Sequence, residues 1–189
     1  MSDPAQLVVF AHGLESSPGG TKATYLKEEF GAFTPPLFEL GLKEQVGALN
    51  LALEERKPCV LVGSSLGGLA SLGAVNKDST LVSHLVLLAP AVGVHRHKDA
   101  FKEAEKTRPG LRAEAMEIAT LSIPKTIPTT IIHGIHDEVV NKNDVVDLST
   151  RSPSSTLILV QDDHMLKESK NLIISVIGRV SLGKNPIVL

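Results

Sequence analysis

Cysteine is almost missing from this chain. Cys59 stands alone, so no intramolecular disulfide can form and a reducing compartment is expected. Its apolar setting, Cys59-Val60-Leu61-Val62, marks it as a buried structural thiol. Tryptophan is absent and aromatic residues make up only 3%, which argues against base-stacking platforms and aromatic sugar-binding surfaces. No apolar run reaches the length of a bilayer-crossing helix. Met1 to Gln6 has no basic segment followed by an apolar one, so no secretory signal is read. A net charge of -2 gives no global attraction to nucleic acid or to an anionic membrane. A cytoplasmic protein is expected, with no nucleic-acid or membrane partner.

What is present fits one domain over residues 1–189, with 42% hydrophobic residues available for a core. Short, fully apolar runs alternate with amphipathic ones. Strands are expected at Leu7–Ala11, Leu37–Leu40, Cys59–Val62, Leu85–Pro90, Thr129–Gly134 and Thr156–Val160. Helices are expected at Thr21–Phe30, Leu42–Glu55, Leu66–Val75, Val139–Ser149 and Leu166–Val180. From about 93 to 127 mixed charges dominate, split by Pro109-Gly110, which reads as a short helical insertion with a solvated surface. Apolar strands alternating with helices imply an α/β fold, a three-layer sandwich with a mostly parallel sheet of about six strands. Sites in such sheets form beyond the carboxyl ends of the strands. His12-Gly13, Ser65, Asp137 and His164 each follow a predicted strand end.

The most informative stretch is Gly63-Ser64-Ser65-Leu66-Gly67. It joins a buried strand to a buried helix through a serine flanked by glycines. That arrangement projects Ser65 from the strand end on a tight, strained turn. It also places the N–H of Leu66 at a helix N-terminus, where partial positive charge favours a developing oxyanion. A serine hydroxyl needs a base to accept its proton, and the base needs an orienting acid. Downstream lie an acid, Asp137, and then a histidine, His164.

Four acids compete for the orienting role. Asp162 and Asp163 are too close in sequence to His164 to orient it comfortably, and they suit the start of the last helix. Glu138 would face away from Asp137 if the turn ran into a helix at Val139. Asp137 follows the strand preceding the histidine turn, which is where α/β-hydrolases, the superfamily these motifs resemble, carry the acid.

These motifs resemble the α/β-hydrolase superfamily over nearly the whole chain. His12-Gly13-Leu14-Glu15-Ser16-Ser17-Pro18, followed by Lys22, is similar to the loop of small bacterial YqiA-like esterases. The resemblance implies a reduced α/β-hydrolase fold without the two leading antiparallel strands of larger members. It implies that Leu14 donates a second oxyanion-hole N–H beside that of Leu66. The three-glycine loop of many lipases is absent, so long acyl chains are less expected.

The remaining histidines have plainer readings. His12 would stabilise its loop, and His95 and His97 would be solvated. His133 and His136 are three residues apart on a turn, which is not a helical metal-ligand pattern. No metal or cofactor is expected. The function expected is a serine hydrolase of small carboxylic esters, acting through an acyl-enzyme on Ser65 with Asp137 and His164. Two alternatives stay open: a non-catalytic ligand-binding protein of the same fold, and an acyltransferase or thioesterase using the same residues.

Overall fold

The computed structural model describes residues 5–37, 39–93, 99 and 101–187. Five parallel strands form one sheet in the order β1-β2-β3-β4-β5. They are β1 (Leu7–Ala11), β2 (Cys59–Ser64), β3 (Val82–Leu88), β4 (Thr129–Gly134) and β5 (Ser155–Val160). The helices are α1 (Thr21–Phe30), α2 (Leu42–Glu54), α3 (Leu66–Lys77), α4 (Ala104–Thr107), α5 (Leu111–Ala119), α6 (Lys142–Thr150) and α7 (Lys170–Ser181). No helix among the described residues is long and apolar enough to cross a membrane.

Alternation along the strands sorts the core into two layers. Val9, Ala11, Leu61, Leu85, Leu87 and Ile131 face one side, where α2, α3, α5 and α6 pack. Val8, Phe10, Val60, Val62, Val86, Leu88 and Ile132 face the other, against α1 and α7. Period-two side chains that are apolar on both faces need a helical layer on each side, and the sheet has both. Helix α3 lies between the sheet and neighbouring helices. Its residues from Leu66 to Val75 are all buried, so it needs no polar stripe. Edge strand β5 is only partly buried.

The sixth strand expected at 37–40 is not formed. Phe38 lies outside the described residues, and Leu37, Glu39 and Leu40 are turn or irregular. What remains is a single parallel bridge from Phe33 to Val9. The Phe10 N–H donates to the Phe33 carbonyl at 2.8 Å, and the Phe33 N–H donates to the Val8 carbonyl at 2.9 Å. Pro35 and Pro36 follow, and neither can donate a ladder hydrogen bond. The chain thus leaves β1 over one face with α1, touches the sheet edge at Phe33, and returns over the other face with α2. Every helix from α2 to α6 that joins the larger core stays on that second face. The reversal at β1 and β2 is the topological switch point at which open α/β sheets form their crevice.

Candidate active site

Ser65 sits between β2 and α3 with φ 53° and ψ −119°, a left-handed conformation that a non-glycine residue rarely adopts. Its surroundings impose it. The Ser65 N–H donates to the Leu88 carbonyl at 3.0 Å, and its own carbonyl accepts from Gly68 at 2.9 Å and Ala91 at 3.0 Å. The flanking glycines leave no room for side chains. A Cβ on Gly63 would meet the Gly67 carbonyl oxygen at 2.7 Å and the Gly68 Cα at 2.8 Å. A Cβ on Gly67 would drive into the carbonyls of Ala11 and His12. Strand, turn and helix are therefore pressed together, and the serine is what projects from the corner.

The acid and the histidine come from two turns knitted to each other. The Ile135 N–H donates to the Val160 carbonyl at 2.9 Å, and the His136 N–H to the Asp162 carbonyl at 3.1 Å. A Cβ on Gly134 would collide with the Asp162 and Asp163 carbonyls. This fixes Asp137 against His164. His164 Nδ1 lies 2.8 Å from Asp137 Oδ2, and His164 Nε2 lies 3.0 Å from Ser65 Oγ. An imidazole whose Nδ1–H donates to a carboxylate has Nε2 free to accept the serine proton.

The Asp137 side chain is fully buried, and that of His164 is 17% exposed. Burial pushes the Asp137 carboxyl up. Hydrogen bonds from His164 and from the Val140 and Val139 N–H groups outweigh it and hold the acid below its ordinary value. Both of those N–H groups donate to Oδ1 at 2.8 Å. That turn also delays the next helix, which starts at Lys142 behind an Asn141 cap rather than at Val139.

Asp162 and Asp163 shape the histidine turn instead of orienting the ring. Asp162 Oδ1 accepts the Asp163 N–H at 2.8 Å. Its Oδ2 accepts the Ser169 N–H at 2.8 Å and the Ser169 hydroxyl at 2.7 Å. Asp163 Oδ1 accepts the Met165 N–H at 2.7 Å. Leu166 has φ 54°, so the last helix cannot begin there as expected. It begins at Lys170, and Asp162 supports its entry through Ser169 rather than by capping it directly.

His12 holds its loop. Its Nε2 accepts the Leu37 N–H at 3.3 Å, and its Nδ1–H donates to the Gly13 carbonyl at 3.0 Å. Burial lowers its pKa, which fits the neutral tautomer those bonds require. Gly13 approaches the serine so closely that a Cβ there would lie 3.2 Å from Ser65 Cβ. Leu14 comes next in this loop, and Leu66 is the first residue of α3, where N–H groups lack intrahelical acceptors. Ser64 is buried as the last residue of β2, paired with Leu88. Burial raises the Cys59 thiol to about 11, which leaves it protonated and inert.

His136 is exposed and pairs with Gln161 at 3.0 Å. His133 is fully buried, with Nδ1 3.7 Å from Asp137 Oδ2, and burial lowers its pKa. The two rings have separate surroundings. The described residues contain no group of three or more histidine, cysteine or acidic side chains that could hold a metal ion. His95 and His97 lie outside the described residues. Sequence reasoning named Lys22 only as part of the loop's resemblance to YqiA-like esterases and gave it no role. Its ammonium donates to the Met165 carbonyl at 2.6 Å, one residue from His164.

A parallel sheet whose switch point carries a strained strand–serine–helix turn, with acid and histidine on the last two strand-end turns, defines the α/β-hydrolase fold. The chain belongs to the uncharacterised protein family UPF0227, whose sequence model matches residues 7–178. That membership bears out the likeness to the YqiA-like group. No curated protein sequence matches the chain. Among solved structures, mouse alpha/beta hydrolase domain-containing protein 10 is 24% identical, with a TM-score of 0.74 over 88% of this chain and 86% of that one. Est1E from Butyrivibrio proteoclasticus is 15% identical, with a TM-score of 0.76 over 96% and 89%. An alpha/beta hydrolase fold protein from Burkholderia ambifaria is 17% identical, with a TM-score of 0.68 over 91% and 89%.

Proposed function

We propose that this protein is a serine hydrolase that cleaves small carboxylic esters through an acyl-enzyme on Ser65. The observation that carries the proposal is the unbroken relay from Asp137 through His164 to Ser65, with contacts of 2.8 and 3.0 Å. Ser65 Oγ attacks the ester carbonyl while His164 Nε2 accepts its proton. The resulting imidazolium is stabilised by the Asp137 carboxylate. The tetrahedral oxyanion is held by the N–H groups of Leu14 and Leu66, the latter at the positive end of α3. His164 then returns the proton to the leaving alcohol. Water, activated by the same histidine, releases the carboxylic acid and restores the serine. No step requires a metal or an organic cofactor.

The small size of the substrate follows from the mixed-charge texture of residues 93–127, proposed as a short insertion within a single domain rather than an apolar lid. Est1E has also been solved with ferulic acid, a small carboxylic acid, bound to it. Turnover of a panel of acyl esters and thioesters, run beside Ser65→Ala, tests the proposal. Ester cleavage lost in Ser65→Ala supports it. Preference for thioesters, or acyl transfer to an added alcohol, would shift the assignment to a thioesterase or acyltransferase with the same residues. Ligand binding with no turnover of any member would leave a binding protein of this fold.

A further inference from the structure

We infer that Lys22 is a positioning residue for the base: its ammonium ties α1 to the turn that carries His164 and keeps the imidazole in register with Ser65. The inference rests on the Asp137–His164–Ser65 reading and adds a fourth residue to it. Lys22 is the second residue of α1, the helix that follows the His12–Gly20 loop. Its Nζ donates to the Met165 carbonyl at 2.6 Å, across 143 residues of sequence. A single side chain thus links α1, the helix that follows the loop bearing Leu14, to the turn bearing His164.

Two independent features say that this lysine is placed for the contact. The first turn of α1 holds no acidic residue, and a cation there opposes the helix dipole. Local helix preference does not explain Lys22, and sites where local preference is overruled tend to be functional. Leu166 anchors one side of the histidine turn in the core, and Lys22 adds a tie on its exposed side. Met165 is half exposed, so packing does not anchor it. Leu166, whose N–H belongs to the same peptide group as the Met165 carbonyl, is in the left-handed region at φ 54°. Asp163 secures the Met165 N–H, and Lys22 secures its carbonyl. Burial lowers the Lys22 pKa, Asp162 and Asp163 raise it, and Lys167 lowers it again. Burial outweighs the two acids and holds the ammonium below its ordinary pKa.

The test uses the full chain with Lys22→Met, which keeps the apolar stem, and Lys22→Arg, which restores a charged donor. Kinetics with p-nitrophenyl acetate are combined with the rate of Ser65 labelling by a fluorophosphonate. Labelling isolates the attack of the serine from later steps. Lys22→Met is expected to lower kcat and the labelling rate together by about tenfold to a hundredfold, with KM within about twofold and the melting temperature within a few degrees. Lys22→Arg is expected to recover most of both rates.

Unchanged rates in Lys22→Met would overturn the inference. So would a raised KM at constant kcat, which would make Lys22 a substrate contact. If Lys22→Met does not fold, Lys22→Gln decides: a folded Lys22→Gln with wild-type rates overturns the inference, and one with lowered rates supports it. Turnover that survives Ser65→Ala would bring down the triad reading and this inference together. Turnover that needs Ser65 but ignores Lys22 would bring down this inference alone.

Discussion

The two ends of the sheet hold histidines of opposite character. At the amino end His84, on β3, is buried, with Nε2 3.0 Å from the Thr130 hydroxyl. Burial drives its pKa down to about 4. Its printed hydrogen-bond partner is a threonine hydroxyl rather than an acid. At the carboxyl end His164 is partly exposed, with an acid on one nitrogen and a serine on the other. The backbones differ in the same way. All three non-glycine residues with positive φ among the described residues, Ser65, Ala89 and Leu166, lie beyond strand ends at the carboxyl edge. The proposed base is set apart by its two neighbours, and the backbone that brings those neighbours together is strained.

The sharpest way to break this contrast is to remove the acid. Asp137→Asn is expected to preserve folding and lower kcat by roughly 10⁴-fold, because the amide favours the wrong tautomer of His164. Asp162→Asn and Asp163→Asn, which alter only the turn, are expected to cost much less. Steady-state kinetics on the three variants ranks them. Near-normal kcat in Asp137→Asn with loss in Asp163→Asn would reassign the acid.

Glycine substitutions test the strained edge. Gly67→Ala forces a methyl into backbone carbonyls that cannot yield. It is expected to cost about 3 kcal/mol, or a fall of roughly 6–12 °C in melting temperature. Gly47→Ala, in the open interior of α2 where a Cβ meets nothing within 4 Å, is expected to stabilise by about 0.5–1 kcal/mol. Thermal melts of the pair should therefore move in opposite directions.

Acyl chain length probes how open the edge is. A site without an apolar tunnel is expected to favour acetyl and butyryl over long-chain esters by about tenfold in kcat/KM, a difference of about 1.4 kcal/mol. A clear preference for long chains would mean that residues 93–127 form a tunnel.

The last effect appears only in acid and concerns His84. Its folded pKa of about 4 lies below the ordinary 6.5, so between those values the unfolded chain binds a proton that the folded chain refuses. Its contribution is complete above about pH 6.5 and is lost as pH falls toward 4. His12 and His133, also shifted down by burial, act in the same direction. Melting temperature against pH should fall less steeply over this range in His84→Gln than in the parent.

Most of the fold was legible because the central strands are unbroken apolar runs closed by glycine or turn residues. Helix α1 ends at Gly31, which takes the left-handed cap that ends helices. Element starts were harder wherever side chains rewrote local pattern. Strand β3 begins at Val82 rather than Leu85 because polar His84 finds a partner in Thr130, which apolar periodicity does not register. The late starts of α6 and α7 follow from the Asp137 turn and from the backbone of Leu166. The strand expected at 37–40 shrank to the Phe33 bridge ahead of two prolines.

The candidate site was legible through chain order and the elbow motif, since Ser65, Asp137 and His164 do meet. The approach of His133 to Asp137 and the reach of Lys22 to Met165 were not. Both depend on contacts between elements, which no local pattern encodes.

The most direct test of a reactive Ser65 is mass spectrometry of the folded protein after fluorophosphonate treatment. One adduct per chain, located at Ser65 and absent in Ser65→Ala, is the expected result. An adduct at Ser16, Ser17 or Ser64, or no adduct on the folded protein, would contradict it.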